Sequence, residues 1–418
     1  TRNTTIGFEA AHHLDNGWQL KALVGHASRD WRLNDAFPTG GVDPATGLIG
    51  NYLRRGWDYE STRESFDVYG TGPFSLLGRQ HAATVGFNYE RLSEERLSGA
   101  NSSIANVPFG RADLVPKNSI KPYVGGFGYE TTQNGMYSQL RFSLTDPLTV
   151  VLGGRFSNYT YRSRNVSPSP STSWDERSRE RNIFTPYAGV VYRINQHLAL
   201  YSSYADIFMP QTQQAVSGRN LDPREGRQIE VGIKGEFNDG KLQFGASVFR
   251  TRDVNRSFND LDNPGFFLSA GEVEVKGAEV EISGSPTANL QLMAGYAYIT
   301  SSYEVDRLRE GERFSLFEPR HSLKLYGTYR FAGTPWRASA GMTANSAVIG
   351  TGEKGLREGT GYAVFNAQLG YDITQKTSLT IAVNNLTDRK YYERIGGLNT
   401  YNTYGEPRSV SLNLRTSF

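Results

Sequence analysis

The chain contains no cysteine. Disulfides, thiolate metal sites and cysteine nucleophiles are excluded together. No stretch approaches the roughly 18 apolar residues of a helical membrane span. That excludes a helical membrane protein but not a barrel, whose strands alternate and whose inner face is polar. An excess of charge of one sign is also missing. Lys and Arg total 45 against 42 Asp and Glu, a formal net charge of +3. These charges are scattered, so there is no nucleic-acid footprint and no nucleic-acid partner is expected. The six histidines (His12, His13, His26, His81, His197 and His321) have neither metalloprotease nor triad spacing. The Gly350–Gly355 stretch has Gly and Lys but no strand-to-helix context for a phosphate cradle. The Asp260–Gly265 stretch has oxygen donors but lacks the later bidentate Glu of a calcium loop. No catalytic residue and no metal ligand set is assigned, so an enzyme is not expected and no cofactor is implied.

What is present is glycine, tyrosine and a rhythm. Short turn signals occur at residues 14–17, 70–79, 145–148, 195–197, 238–241, 284–289, 331–336 and 374–376. Asn, Asp, Gly and Pro dominate them, because tight turns need a positive or a fixed φ. Between them lie long polar connections at residues 34–50, 91–124, 162–181, 211–226, 305–319 and 350–361. Strict alternation of short and long connections is the pattern of an outer-membrane barrel, with tight periplasmic turns and long external loops.

The flanking segments alternate in hydrophobicity. Leu148, Val150, Leu152, Gly154 and Phe156 oppose Thr149, Val151, Gly153, Arg155 and Ser157; Leu323, Leu325, Gly327 and Tyr329 oppose Lys324, Tyr326, Thr328 and Arg330. The reading is an all-β, transmembrane antiparallel β-barrel of about seventeen strands, each about 10 residues or longer. Pro186 weakens the segment 182–193 as a strand. Trp18, Tyr192, Tyr201, Trp336 and Tyr371 lie beside short turns and are expected in the periplasmic aromatic girdle. Lys21, Arg155, Lys324, Arg330 and Arg415 are expected on the inner wall, where pairing with plug carboxylates or hydrating the lumen is expected of them rather than direct ligand binding. The first residues already read as strand, so a processed or truncated N-terminus is expected.

The last forty residues carry more. Val410, Leu412, Leu414, Thr416 and Phe418 share one face, and Ser409, Ser411, Asn413, Arg415 and Ser417 the other. A chain that ends on an aromatic residue in the apolar row suits a closing barrel strand. The run Val383-Asn-Asn-Leu-Thr-Asp-Arg-Lys-Tyr-Tyr392, then Tyr404-Gly-Glu-Pro-Arg408, then Phe418, resembles the C-terminus of TonB-dependent siderophore receptors. Two more stretches match: Tyr201 to Gln211, and Leu221-Asp-Pro-Arg-Glu-Gly226 followed by Glu230 to Glu236. The branch it is most similar to is that of pyoverdine, coprogen and ferrioxamine receptors.

That resemblance, which covers nearly the whole chain, carries expectations. It implies a barrel of about twenty-two strands, of which residues 1–418 form the C-terminal part, with about five strands and a plug domain outside this chain. An open sheet edge in lipid leaves unpaired backbone groups at several kcal/mol apiece, so such a fragment is not expected to be stable alone. It implies energised import of a ferric siderophore, the class expected being hydroxamate, across the outer membrane of a Gram-negative bacterium. The implied partners are that chelate, the TonB–ExbB–ExbD complex acting through the N-terminal region, the assembly machinery reading Phe418, and the lipopolysaccharide-bearing membrane. Iron is expected to arrive chelated. A passive porin or adhesin-like barrel fits the alternation but not the motifs. A soluble propeller or solenoid would show a fixed repeat, and none is found.

Alternation also places a ligand wall. Extending the lipid row Trp18, Leu20, Ala22, Val24 upward puts Lys21, Gly25, Arg29 and Trp31 inside. On the next strand Phe66 and Val68 face lipid, so Ser65, Ser61, Tyr59 and Trp57 face inward. Trp31, Trp57 and Tyr59 are therefore expected on adjacent strands near the external end. Aromatic faces there suit a siderophore with flat or apolar parts; packing under a loop or against a plug is the alternative. Tyr161, Phe208 and Tyr401 are further candidates at other loop bases.

Overall fold

The computed structural model describes residues 1–260, 262–352, 355–396 and 402–417. Phe418 and Tyr401 lie outside the described residues. The strands are β1 (Arg2–His13), β2 (Gln19–Pro38), β3 (Leu48–Leu76), β4 (Arg79–Gly99), β5 (Ser102–Pro108), β6 (Tyr123–Ser143) and β7 (Leu148–Asn165). Then come β8 (Asp175–Arg193), β9 (Leu198–Met209), β10 (Arg224–Phe237), β11 (Leu242–Asn259), β12 (Phe267–Thr287) and β13 (Leu290–Val305). The remainder are β14 (His321–Arg330), β15 (Trp336–Asn345), β16 (Val348–Gly352), β17 (Gly355–Gly359), β18 (Tyr362–Asp372), β19 (Thr377–Asn384), β20 (Tyr392–Arg394), β21 (Thr403–Tyr404) and β22 (Ser409–Thr416). Among the described residues, four strands form two small hairpins, β16–β17 and β20–β21, and the other eighteen are sheet strands, described below unit by unit. The expected all-β class and the expected number of sheet strands are both met.

Two compact units are distinguished. The first comprises residues 1–189, 205–227 and 253–271; the second comprises 190–204, 228–252 and 272–418.

In the first unit, β1, β2, β3, β4, β6 and β7 pair antiparallel in succession. The period of two sorts their side chains onto two faces. Leu20, Val24, Phe66, Val85, Met136, Leu152 and Phe156 form one face and are exposed. So large an apolar area in contact with water would be unfavourable, which marks this face as lipid-facing. The other face is polar and internally bonded. Tyr137 Oη donates to Asp67 Oδ1 at 2.9 Å, and Arg155 Nη2 donates to Asn88 Oδ1 at 2.7 Å. Lys21, expected on this wall, pairs with Glu9 at 2.6 Å.

The strands run much further than their composition suggested. β3 is 29 residues long and β4 is 21, so residues 91–99, read as loop, are strand. The turn assigned to residues 70–79 is only Leu77-Gly78, with Leu76 opposite Arg79 and φ positive at both turn residues. β8 also passes through Pro186. Polarity misled here because a strand that leaves the membrane has water on both sides and loses its apolar row while keeping its ladder.

The compact apolar core of the first unit is Ile49, Tyr52 and Val107, backed by Ile104 and Val115. It pins β5 onto the far end of β3 through Leu48↔Pro108 and the pairs that follow. That cluster braces the strand segment carrying Trp57 and Tyr59.

In the second unit, β12 through β15 pair in order, then β18, β19 and β22. The motif that carries the resemblance is a structural knot here. Asn385 is 2% exposed with φ 48°. Its Nδ2 donates to Arg389 O (2.9 Å) and Glu406 O (3.0 Å), and its Oδ1 accepts Arg389 N (2.8 Å). Asp388 Oδ1 accepts Arg408 N at 3.0 Å. A side chain at Gly405 would overlap the Tyr391 ring, which explains glycine there. The two motifs are thus interlocked by these hydrogen bonds.

Of the expected girdle residues in this unit, Trp336 and Tyr371 sit opposite each other with ring centroids 4.7 Å apart, both exposed. Tyr201 does not join them. Its hydroxyl donates to Glu230 at 2.5 Å and Lys234 lies 4.9 Å over its ring, while Ile229 and Val231 face the other way, exposed. Tyr201 belongs to the polar wall, because Glu230 gives its hydroxyl a partner that lipid would not.

Candidate functional site

The site lies in the first unit, on the polar face of the strand segments beyond the apolar band. Register places Trp31 directly opposite Tyr59, and Leu33 opposite Trp57. Directly opposed side chains are the closest pairs a sheet offers. The Trp31 and Tyr59 rings are stacked, with centroids 4.0 Å apart and an interplanar angle of 1°. Trp57 meets Tyr59 edge-on at 6.1 Å.

Guanidinium groups interleave with the rings. Arg29 lies 5.7 Å from the Trp31 ring. Arg55 lies 4.6 Å from Trp57 and 4.3 Å from Phe37, and is held by Asp35 at 2.6 Å. Arg96, opposite Tyr59 on β4, lies 5.5 Å from Trp57 and 6.0 Å from Phe127. Arg96 Nε is shielded from solvent and makes no hydrogen bond among the described residues. Further along, Tyr129 and Tyr161 approach to 5.8 Å. Burial, reinforced by Glu94, pushes the Tyr129 hydroxyl up to about 12, so it stays a neutral donor.

Trp31, Trp57, Tyr59 and Tyr161 therefore share one face across β2, β3 and β7, joined by β4 and β6. Phe208 lies between exposed Ile207 and Met209 and so points to the opposite, polar side of its strand. Its ring makes no aromatic contact with the others among the described residues.

Sequence reasoning missed Arg55, Arg96, Phe127 and Tyr129 as neighbours. Arg55 was within reach, being two residues before Trp57 on the same row. Arg96 and Phe127 required strand where composition read loop.

A hollow of about 670 Å³ also touches Trp31 and Tyr59 but opens on the other face, lined by Asp30, Arg32, Asp58, Glu60 and Tyr123. There Arg32 Nε donates to Asp58 Oδ1 at 2.7 Å and Tyr123 Oη to Asp58 Oδ2 at 2.5 Å. These bonds, Arg32 foremost, hold the Asp58 carboxyl below its usual range. This network clamps β2, β3 and the start of β6 together behind the aromatic wall.

The Gln211 hub braces the same unit. Gln211 is 4% exposed, and its Nε2 donates to Asp222 O (2.5 Å) and Asn255 O (2.7 Å). Nearby, the Arg224 guanidinium is clasped to Asp253. The two internal motifs singled out in the sequence thus meet. The Asp260 oxygens accept Asp262 N (3.0 Å) and Asn263 Nδ2 (2.9 Å).

Residues 1–386 match the model of the family described as TonB dependent receptor-like, beta-barrel. The chain belongs to that family. Its strands belong to the outer-membrane β-barrel of that family. Among curated relatives, it is 32% identical to the ferric-pyoverdine M114 receptor PbuA of Pseudomonas sp. (strain M114), covering 100% of this chain and 53% of that protein. It is 25% identical to the ferrioxamine B receptor of Salmonella typhimurium (strain SL1344), covering 98% of this chain and 57% of that one. Among solved structures, the ferripyoverdine receptor of the outer membrane of Pseudomonas aeruginosa bound to ferripyoverdine superposes with a TM-score of 0.86 at 27% identity, covering 100% of this chain and 56% of that one. This receptor barrel spans about half the length of the curated relatives it matches.

Proposed function

We propose that this chain is the barrel portion of a receptor that binds a ferric siderophore and imports it with energy from the TonB–ExbB–ExbD complex. One observation carries the reading. A stacked Trp31–Tyr59 pair, Trp57 and three interleaved arginines line the polar face beyond the lipid band. Rings and guanidinium groups that are only half-covered offer flat contact area and cationic donors at little further entropic cost. A chelate with a planar or apolar part and anionic oxygens is the ligand chemistry they suit. Among the described residues, Arg96 Nε is a buried donor without a hydrogen-bond partner.

The relatives support the class, being named as receptors rather than enzymes. Those at higher identity are named for pyoverdines, so a pyoverdine is the first ferric chelate to test. A hydroxamate such as ferrioxamine B, the class expected from sequence, comes second on the strength of the Salmonella relative. The chain's iron is substrate and arrives chelated. Phe418, at the end of the apolar row, acts in assembly.

The test is a tryptophan-fluorescence titration of the folded receptor with ferric pyoverdine, ferrioxamine B and unchelated ferric iron. Saturable quenching by at least one ferric chelate and none by free iron is expected. Tight binding of free iron, or no binding of any ferric siderophore, would contradict the reading.

A further inference from the structure

The lipid-facing side of the second unit ends in a cluster of charges that the ligand wall does not use. Val280 on β12 stands opposite Tyr296 on β13, which stands opposite Leu323 on β14. Val280, Tyr296, Tyr298 and Leu325 are all exposed on this row. Away from the short β12–β13 turn, the row passes Ala278, opposite Tyr298. It then reaches Lys276 and Glu274, opposite Thr300 and Ser302. On β11, exposed Val248 is followed at two-residue steps by Arg250 and Arg252. Both ion-pair with Glu274, which agrees with their place on the same face. This face points to the membrane, so a plug inside the barrel does not reach it.

Glu274 lies beneath the cations. It pairs with Arg250, with Lys276 and, at 3.5 Å, with Arg252. Arg252 also pairs with Glu272 at 3.4 Å. Three cations therefore share two carboxylates. The Arg250, Arg252 and Lys276 side chains are 49%, 50% and 56% exposed, against 2% for Glu274 and 22% for Glu272. What the cluster presents outward is positive charge.

Register fixes its height. Lys276 lies two residues beyond Ala278, the partner of Tyr298, or roughly 7 Å along a strand. Tyr296 Oη is 2.8 Å from His321 Nδ1, and the Tyr298 and His321 rings lie 4.9 Å apart. Exposed rings with polar tips mark the boundary between hydrocarbon and head groups. Cations one step further out stand at head-group level, with their aliphatic stems along the apolar row. The leaflet is the outer one. β12 and β13 join by a tight turn at the opposite end, whereas residues 306–320 link β13 to β14 at this one.

We propose that Arg250, Arg252 and Lys276 form a head-group site for the phosphate of an outer-leaflet lipid, whose chains lie along Val248 and Val280. The proposal rests on the barrel's place in the outer membrane and not on the siderophore reading. Free phosphate would present the same charge without the chains.

The test is native mass spectrometry of the full-length receptor in detergent, with phosphatidic acid, phosphatidylcholine and inorganic phosphate as probes. Wild type is expected to retain phosphatidic acid in preference to phosphatidylcholine, and less strongly as salt rises. Lys276→Gln should reduce that preference about fivefold, the effect of one cation near a charged head group. Arg250→Gln with Lys276→Gln should reduce it further. Lys324→Gln, opposite Gly295 on the inner row, should leave it unchanged. No preference in wild type, equal preference in wild type and Lys276→Gln, or an equal loss in Lys324→Gln would each overturn the site. Should the double variant fail to fold, Lys276→Gln still decides, since Glu274 keeps both arginines. Inorganic phosphate at equal concentration is expected to leave the lipid in place; displacement would overturn a lipid as the occupant. Siderophore binding enters neither measurement, so the two readings fail separately.

Discussion

Replacing Trp31 by Ala removes the centre of the proposed ligand wall. Tyr59 covers one face of the indole at 4.0 Å, and Arg29 stands 5.7 Å away, so a ligand reaches mainly the other face and the edge. Truncation of a buried aromatic contact at an interface costs about 1–3 kcal/mol. With one face already occupied, the lower part of that range applies, roughly 1–2 kcal/mol, or about 5- to 30-fold in Kd. The assay is the fluorescence titration with ferric pyoverdine, read for both affinity and quenching amplitude. The chain has five tryptophans, so loss of the one nearest the chelate should visibly reduce the quenched fraction. Trp31→Phe keeps a ring over Tyr59 and should fall between the two. Trp57→Ala should weaken binding comparably, by freeing Arg55 and Arg96 from the ring that positions them. Unchanged Kd and unchanged quenching in both Ala variants, with folding confirmed by heat-modifiable mobility, would place the site elsewhere on the wall.

Arg96→Gln keeps length but loses the cation over Trp57 and Phe127, and should weaken binding by about 0.5–1 kcal/mol, a few-fold in the same titration. Asn385→Ala leaves Arg389 and Glu406 backbone groups unpaired in a buried turn; a loss of about 2–4 kcal/mol is expected, seen as a lower unfolding midpoint in urea with ligand affinity unchanged. The Asp58 clamp follows pH with a definite sign. A depressed carboxyl adds stability that is present above its unfolded pKa, about 4, and is lost as pH falls through its lower folded pKa. Hydrogen exchange in β2 and β3 around residues 30–60 should therefore rise below about pH 4, and Asp58→Asn should remove that step. Deleting Phe418 should lower the amount of folded receptor while leaving Kd unchanged in what folds; normal amounts of folded barrel would refute an assembly role.

Alternation made most of the sheet legible, because a two-residue period survives wherever lipid faces one side. It therefore placed Trp31 and Tyr59 on one face of adjacent strands, where the register sets them opposite each other. The same signal fades where water bathes both faces. Hence residues 91–99 looked like loop, and Arg96 and Phe127 could not be joined to Trp57. Tyr201 went astray for another reason. Nearness to a short turn fixes the height of a residue, not its side, and the hydrogen bond to Glu230 decides the side. The motifs at residues 383–392 and 404–408 announced a family but hid their physical role, since a turn closed by Asn385 is visible only once both segments meet.

Transport is the most direct test of the proposed function. Cells lacking other routes for the chelate and expressing the full-length receptor should accumulate radiolabelled iron from a ferric siderophore, and should cease to do so when TonB is removed. Accumulation that is equal with and without TonB would indicate a passive barrel. No accumulation from any ferric siderophore, with folded receptor present in the outer membrane, would contradict the central claim.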